Sequence, residues 1–392
     1  GSDSTARVVL GAVNTALASA KQEPISVPSA GSPRYRCTQS DLEFSGRSTS
    51  ALTGEGERTE VIHKVRGLCV TAYIVGQFQL ADDLSNVVRV APGGSLDIDR
   101  LTREGSVGFT VRASPSGALT REYRQDGRVV DASVANRWMP SLLRTLVVQG
   151  GIGVPERVAM LRRQGGVEAV LKEIDEVTSD GIRRSYFLAL LDTRPELPGP
   201  KLDRVVRQAA EQVGSDGDLR AILEAAARSD KRASIVDAAE RIGSSGDRRA
   251  VLTRLLLDSD EAVLRAVMVA AKGISSDGDK AGLLAKASGI VGEHPAAIPD
   301  FLGAAGSIRS DGDKAMVLKV AAREWSPTLG KLGDAMISVT RTIQSSGDRA
   351  NVLVTLVRSG YVADSDTRQL AIDAAKGLSE SDYGMVKTAL GR

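Results

Sequence analysis

The stretch Ile274-Ser275-Ser276-Asp277-Gly278-Asp279-Lys280 decides how this chain is read, because it recurs. Close copies stand at Val213-Gly214-Ser215-Asp216-Gly217-Asp218, Ile242-Gly243-Ser244-Ser245-Gly246-Asp247, Ile308-Arg309-Ser310-Asp311-Gly312-Asp313 and Ile343-Gln344-Ser345-Ser346-Gly347-Asp348. A looser copy, Val177-Thr178-Ser179-Asp180-Gly181-Ile182, opens the series, and Ser381-Asp382-Tyr383-Gly384 closes it. Counted from the serines at 179, 215, 244, 276, 310, 345 and 381, the intervals are 36, 29, 32, 34, 35 and 36 residues. A drifting period of this length is what stacked helical hairpins produce, since each hairpin needs neighbours to bury its apolar face.

The chemistry of the motif gives its place in the hairpin. A serine hydroxyl accepts from an exposed amide in the first helical turn, so Ser179, Ser215, Ser244, Ser276, Ser310 and Ser345 are expected as helix N-caps. The acid three residues on (Asp218, Asp247, Asp279, Asp313, Asp348) reads as a shortened capping-box partner that also suits the positive helix end. The apolar residue two before each cap should close the preceding helix, and the glycine stands where nothing needs packing. The base after most joints (Arg248, Lys280, Lys314, Arg349) is expected to pair with the neighbouring joint's aspartate, forming a charged edge. Between joints, Ile235, Ala238, Ala239 and Ile242, and then Val251, Leu252, Leu255 and Leu256, keep helical spacing. A calcium-loop reading fails, because neither the further acid of an EF-type loop nor tight glycine repeats are present.

Upstream the period changes from helical to two. Val70, Ala72 and Ile74 alternate, as do Leu96 and Ile98, and Val107, Phe109 and Val111. Pro92-Gly93-Gly94, Pro115-Ser116-Gly117 and Asp126-Gly127 supply turns, so five or six short antiparallel strands are expected, with 45–58 as a mobile loop. Val134, Trp138, Leu142, Leu143 and Leu146 then make a helical apolar face, with Pro140 starting or kinking a turn, and Gly165-Gly166 reads as a helix-to-helix turn. Leu197–Pro200, Ile290–Pro295 and Trp325–Pro327 read as loops.

The expected fold is therefore α+β: a small antiparallel β domain followed by an all-α, HEAT-like, right-handed solenoid of six to seven helical hairpins. The boundaries are 1–34 for a partly disordered tether and Pro-containing linker, 35–131 for the β domain, 132–176 for capping helices and 177–392 for the repeats.

Composition narrows the function classes. Lys+Arg 51 against Asp+Glu 49 leaves a net charge of +2, and aromatics are 3%. Near-neutrality argues against a nucleic-acid groove, and few aromatics argue against a stacking platform. No run approaches the length of a membrane span. Gly1-Ser2 looks like a tag-cleavage scar, which leaves a signal peptide or membrane anchor upstream open. Cys37 and Cys69 fall in one β-rich segment. An exported protein would pair them, whereas a cytosolic one would keep two buried thiols.

Two segments carry a resemblance. One is Asp82-Asp83-Leu84-Ser85-Asn86-Val87-Val88-Arg89-Val90-Ala91-Pro92-Gly93-Gly94-Ser95-Leu96; the other includes Arg137-Trp138, Arg157-Val158, Gly165-Gly166-Val167-Glu168-Ala169-Val170-Leu171, Ser179-Asp180 and Phe187-Leu188. With the Ser-Asp joints, over about 60–390, they resemble the extracytoplasmic part that follows the metallopeptidase domain in BlaR-type bacterial membrane sensors. The resemblance implies a β module and a helical solenoid outside the cytoplasmic membrane. It does not bring the peptidase activity, because this chain lacks His-Glu-x-x-His and its two histidines, His63 and His294, are far apart in sequence.

No catalytic residue, metal ligand or cofactor is assigned. His63 is expected as an ordinary surface or half-buried strand residue, and His294 before Pro295 as a loop or cap. The leading expectation is a non-enzymatic interaction or sensor scaffold of the bacterial envelope, periplasmic or otherwise extracytoplasmic, with a cytoplasmic scaffold as the alternative. Its partner would be a protein or peptide, not nucleic acid, held on an extended concave surface whose inner face is lined by the second helices of the repeats, where Arg254, Lys286, Lys319 and Asn351 are candidates. The competing readings are a detached sensory domain of a membrane-bound signalling protease, and a hydrolase with its site at the β/helical junction near Trp138.

Overall fold

The computed structural model describes residues 34–44, 49–55, 58–230, 232–257, 260–327 and 332–391. The expected tether and linker, up to residue 33, lie outside the described residues. The chain divides into two compact units, one ending at Pro195 and the other beginning at Glu196.

The first unit holds nine described strands: β1 (Thr49–Glu55), β2 (Arg58–Val65), β3 (Leu68–Val75), β4 (Phe78–Leu80), β5 (Val87–Val90), β6 (Ser95–Thr102), β7 (Gly105–Ala113), β8 (Leu119–Gln125) and β9 (Arg128–Val130). Seven form an antiparallel meander in the order β1-β2-β3-β6-β7-β8-β9, and β4–β5 make a separate hairpin. The count exceeds the five or six expected. Part of 45–58, read as a loop from its Ser, Gly and Thr content, is strand β1, paired with β2 from Thr49↔Lys64 to Glu55↔Arg58. The expected turns hold: at Asp126-Gly127 both residues have positive φ, 49° and 76°, the backbone a tight two-residue hairpin requires.

Alternation puts Val61, Val70, Ala72, Ile74, Leu96, Ile98, Phe109 and Val111 on one face of the sheet. Against it lie a helical turn α1 (Ala132–Ala135) and helix α2 (Met139–Val148), which contribute Trp138, Leu142, Leu143 and Leu146 to the same cluster. Pro140 falls in the first turn of α2, where its missing amide costs nothing. Helix α3 (Val154–Ile174) is broken at Gly165 and Gly166, whose φ of −145° and 70° leave the helical region, so this pair is the expected turn between two helices. Helix α4 (Asp180–Leu191) completes the unit.

The other sheet face is crossed by the segment from Arg34 to Phe44, which Cys37–Cys69 bonds to β3 with the Cα atoms 5.8 Å apart. Leu42 of this segment is buried, the Arg34 guanidinium stacks 3.8 Å from the Tyr73 ring, and Lys64 of β2 donates to Asp41 at 2.7 Å.

The second unit is six helical hairpins among the described residues: α5 (Gly199–Gln212) with α6 (Asp216–Ser229), α7 (Ala233–Ala239) with α8 (Ser245–Arg254), α9 (Glu261–Ala271) with α10 (Asp277–Glu293), α11 (Ile298–Gly306) with α12 (Asp311–Glu324), α13 (Leu332–Thr340) with α14 (Ser346–Arg358), and α15 (Ser365–Ala374) with α16 (Glu380–Ala389). Each helix from α5 to α14 touches the helix two along, so odd-numbered helices form one layer and even-numbered helices the other. The stretch from Ile290 to Glu293, expected as loop, continues α10; His294 is its C-cap.

The joints explain the recurrence. Ser215, Ser244, Ser276, Ser310 and Ser345 each accept from the amide three residues on. Val213, Ile242, Ile274, Ile308 and Ile343 are buried behind them. A Cβ added to Gly217, Gly246, Gly278, Gly312 or Gly347 would meet nothing within 4 Å. One expected cap differs, and the closing copy is shifted. Ser179 occupies the N-cap of α4 but its side chain makes no cap hydrogen bond, and Ile182 stands where the other joints have aspartate. At the last joint the cap is Ser379 rather than Ser381, because Ser379 and Asp382 restore the three-residue spacing.

Asp247, Asp279, Asp313 and Asp348, at the third helical position, do not return to their own cap amides, as a capping box would. Those amides are served by the previous repeat. Asp216 accepts from the amides of Gly243 and Ser244 at 3.0 and 2.8 Å, Asp277 from Arg309 and Ser310 at 3.1 and 2.9 Å, and Asp311 from Gln344 and Ser345 at 3.0 and 2.7 Å. Where the first helical residue is serine, Ser245 accepts from the Ser276 amide and Ser346 from the Ser379 amide. Burial opposes ionisation of Asp277, but the two amides outweigh it and hold the carboxyl below the usual range.

The base after the joint does not meet a neighbouring aspartate either. Arg248 donates to the carbonyls of Glu240, Ile242 and Gly273, Arg349 to Ile343, Lys280 to Ser307, and Lys314 to the Thr342 hydroxyl. Helix C-termini leave carbonyls unsatisfied and negative, which is where a cation is most useful. The aspartates at the third position are instead reached from elsewhere: Arg220 binds Asp247 at 2.8 Å and Arg249 binds Asp279 at 3.1 Å. Asp277→Ala should therefore strand two amides of the next repeat and cost about 1–3 kcal/mol in urea unfolding, against about 1 kcal/mol for Ser276→Ala. Equal effects would show that the inter-repeat bonds add nothing beyond capping.

Candidate functional site

The first unit contains a buried ionic cluster that no motif announced. Glu173 of α3 is 4% exposed and accepts from Arg157 Nε and Nη2 at 2.8 and 2.5 Å and from the Tyr186 hydroxyl of α4 at 3.0 Å. Burial, and then the Glu173 carboxylate beside it, push the Tyr186 phenol far above its usual range. Arg157 also donates to the Asp82 carbonyl at 3.2 Å, tying the β4–β5 hairpin to α3. Arg157 and Asp82 belong to the two segments that carry the resemblance. Every strong donor here is engaged with Glu173, so the arrangement holds α3, α4 and the hairpin together rather than offering a free acid or base.

A second network lies on the sheet face away from the helices. Asp97 accepts from the Thr110 hydroxyl at 2.7 Å and from Arg124 at 2.9 Å, and Arg124 also reaches Asp99 and Glu122 at 3.1 and 3.0 Å. Burial raises the Asp97 carboxyl, but Thr110 and Arg124 outweigh it and hold it below its usual range.

His63 departs from expectation. It is a strand residue, but wholly buried on the core-facing side of β2, opposite Val70. Burial lowers its pKa from 6.5 to about 4. A histidine with a depressed folded pKa contributes stability that is complete above 6.5 and lost as pH falls toward 4, about 3 kcal/mol in total. The difference in unfolding free energy between pH 7 and pH 4.5 should shrink in His63→Gln; an unchanged difference removes His63 as the cause.

Trp138, at the proposed hydrolase junction, is buried in the apolar cluster and meets the Tyr123 ring edge-on at 6.4 Å. The polar contact nearby is Arg100 donating to Ser141 at 2.8 Å. Among the described residues, no group of three or more His, Cys, Asp and Glu is arranged to hold a metal ion, and no helix is long and apolar enough to cross a membrane.

The expected partner-binding residues all lie on even-numbered helices. Arg254, Lys286 and Asn351 are exposed and Lys319 is half-buried. Residues seven, eight, eleven and twelve after Ser215, Ser244, Ser276 and Ser310 are buried, as in Val251, Leu252, Leu255 and Leu256 of α8 and its following turn, or Val317, Leu318, Ala321 and Ala322 of α12, and so are the seventh, eighth and eleventh after Ser345. Lys319 follows its cap by nine residues, Arg254 and Lys286 by ten and Asn351 by six, so at 3.6 residues per turn they share the opposite, outward face.

No family model, curated protein or solved structure matches the chain.

Proposed function

We propose that this chain is a non-enzymatic interaction protein of the bacterial envelope, in which the second unit acts as a helical solenoid that holds a protein or peptide on its even-numbered helices. The observation that carries this reading is the repetition. Hairpins joined by the same amide–aspartate bond present equivalent outward faces side by side, which makes an extended surface rather than a cleft. The Cys37–Cys69 bond supports a periplasmic or other oxidising location. A photo-crosslinking residue placed at Arg254, Lys286 or Asn351 in the source cell should capture one discrete polypeptide, while the same residue at Arg265 or Val269, exposed on odd-numbered α9, should not. No adduct, or equal adducts from both layers, rejects the reading.

A second reading is a sensory domain attached to a membrane-bound signalling protease. It is supported by the Arg157–Asp82 contact, which joins the two segments on which the BlaR-type resemblance stands. Reading the gene upstream tests it: a membrane span and a His-Glu-x-x-His helix are expected, and their absence rejects it.

A further inference from the structure

We infer that the even-numbered face binds an extended acidic segment of another polypeptide, with a carboxylate at about every third residue. This rests on the solenoid reading above and gives its partner a chemistry.

Arg228 of α6, Arg254 of α8, Lys286 of α10, Lys319 and Arg323 of α12 and Arg358 of α14 make no ion pair or hydrogen bond with other described residues. They follow their caps by nine, ten or thirteen residues, positions that fall on the outward face defined by the buried seventh, eighth, eleventh and twelfth. Five successive helices of one layer therefore each carry at least one uncommitted cation. The contrast lies within the same helices. Arg220 and Arg249, five residues after their caps, are taken by Asp247 and Asp279, and Arg248, four after, by backbone carbonyls. Structural demand accounts for the bases at the joints and not for those farther along. Helix-end electrostatics offers a partial explanation for Arg228, Arg254, Arg323 and Arg358, which stand in last turns. It offers none for Lys286 and Lys319, which sit mid-helix. The carboxylates on these helices beyond the joints are Glu224, which pairs with Arg220, and Glu293 and Glu324 near the ends of α10 and α12.

Spacing selects the partner. Helices of one layer pack about 8–10 Å apart, and a chain extended as polyproline II advances about 3.1 Å per residue with three residues per turn, so one cation per helix matches one acid on the same side at about every third residue. The face offers Thr253, Asn351 and Thr355 between the cations for backbone groups, and no aromatic ring on which a base could stack.

The test uses the full chain and a synthetic fifteen-residue peptide, (Glu-Ala-Ser) repeated, with the Gln and Lys versions and a thymidine fifteen-mer as comparisons, measured by fluorescence anisotropy in low salt. The Glu peptide should bind best. Lys286→Glu with Lys319→Glu should weaken it at least tenfold, while Lys272→Glu on the odd-numbered layer leaves it within twofold; circular dichroism confirms that each variant is folded. Equal binding of the Glu and Gln peptides, or no loss in the double variant, overturns the acidic chemistry. Tighter binding of the oligonucleotide overturns the polypeptide assignment. Crosslinks confined to the even-numbered layer alongside a failed peptide assay would retain the solenoid reading and reject only its charge preference.

Discussion

Arg157→Met is expected to lower the stability of the first unit by about 3–5 kcal/mol, the largest effect of any single substitution considered. The reason is what it leaves behind. Glu173 would remain buried with the Tyr186 hydroxyl at 3.0 Å and Arg144 at 3.7 Å, too little to replace the paired donors at 2.8 and 2.5 Å. A buried charge without its partner costs more than the pair contributes, so removing both should be milder than removing one. Arg157→Met with Glu173→Leu and Tyr186→Phe should recover most of the loss. Urea unfolding, with hydrogen exchange in α3 and α4 to localise the effect, measures it. If the single substitution costs under 1 kcal/mol, or the triple costs as much as the single, Glu173 is not held as the geometry implies. The same substitutions would loosen the β4–β5 hairpin, since the Asp82 carbonyl loses its donor.

Reduction of Cys37–Cys69 is expected to cost about 3–4 kcal/mol, because a cross-link across 32 residues removes that loop's freedom from the unfolded chain. The segment it holds has other anchors. Leu42 is buried, and Asp41 takes Lys64 and the Tyr35 hydroxyl at 2.7 and 2.6 Å, which keeps its carboxyl far below the usual range. The segment should therefore stay docked in the reduced folded state, with the loss appearing in the urea midpoint rather than as a new mobile region. Comparing midpoints with and without dithiothreitol, and in Cys37→Ser/Cys69→Ser, decides it; a shift below about 1 kcal/mol would mean that the unfolded chain gains little freedom on reduction. A thiol count on protein taken from its native compartment would bear on the envelope reading: oxidised cysteines support it, and free thiols reject it.

The joints were legible because a cap is local: Ser, Gly and Asp at fixed offsets determine a turn whatever surrounds it, and Ser276 and its copies stand where their spacing puts them. The buried isoleucine two before the cap was legible for the same reason. Partners across repeats were not. The bond from Asp277 to the Ser310 amide spans 33 residues, and nothing in the local pattern says which of two aspartates in a joint reaches the next repeat's amides and which is met by an arginine of the preceding repeat. Charge alone pairs the basic residues after the joint with those aspartates; stacking brings helix C-termini nearer, and Arg248 and Lys280 bind there. Strand β1 was hidden by Ser, Thr and Gly because edge pairing needs only a backbone partner, which β2 supplies.

The sequence by itself determined the α+β order, the repeat, its caps and the residues that face inward, since all of these follow from hydrogen bonding and periodicity within a few residues. Tertiary structure alone decided that Glu173 is buried with Arg157 and Tyr186, that His63 is enclosed, and which cations are used by the fold and which are left outward. Those outcomes depend on distances between segments tens of residues apart, where burial and charge are set by whatever neighbour the packing delivers.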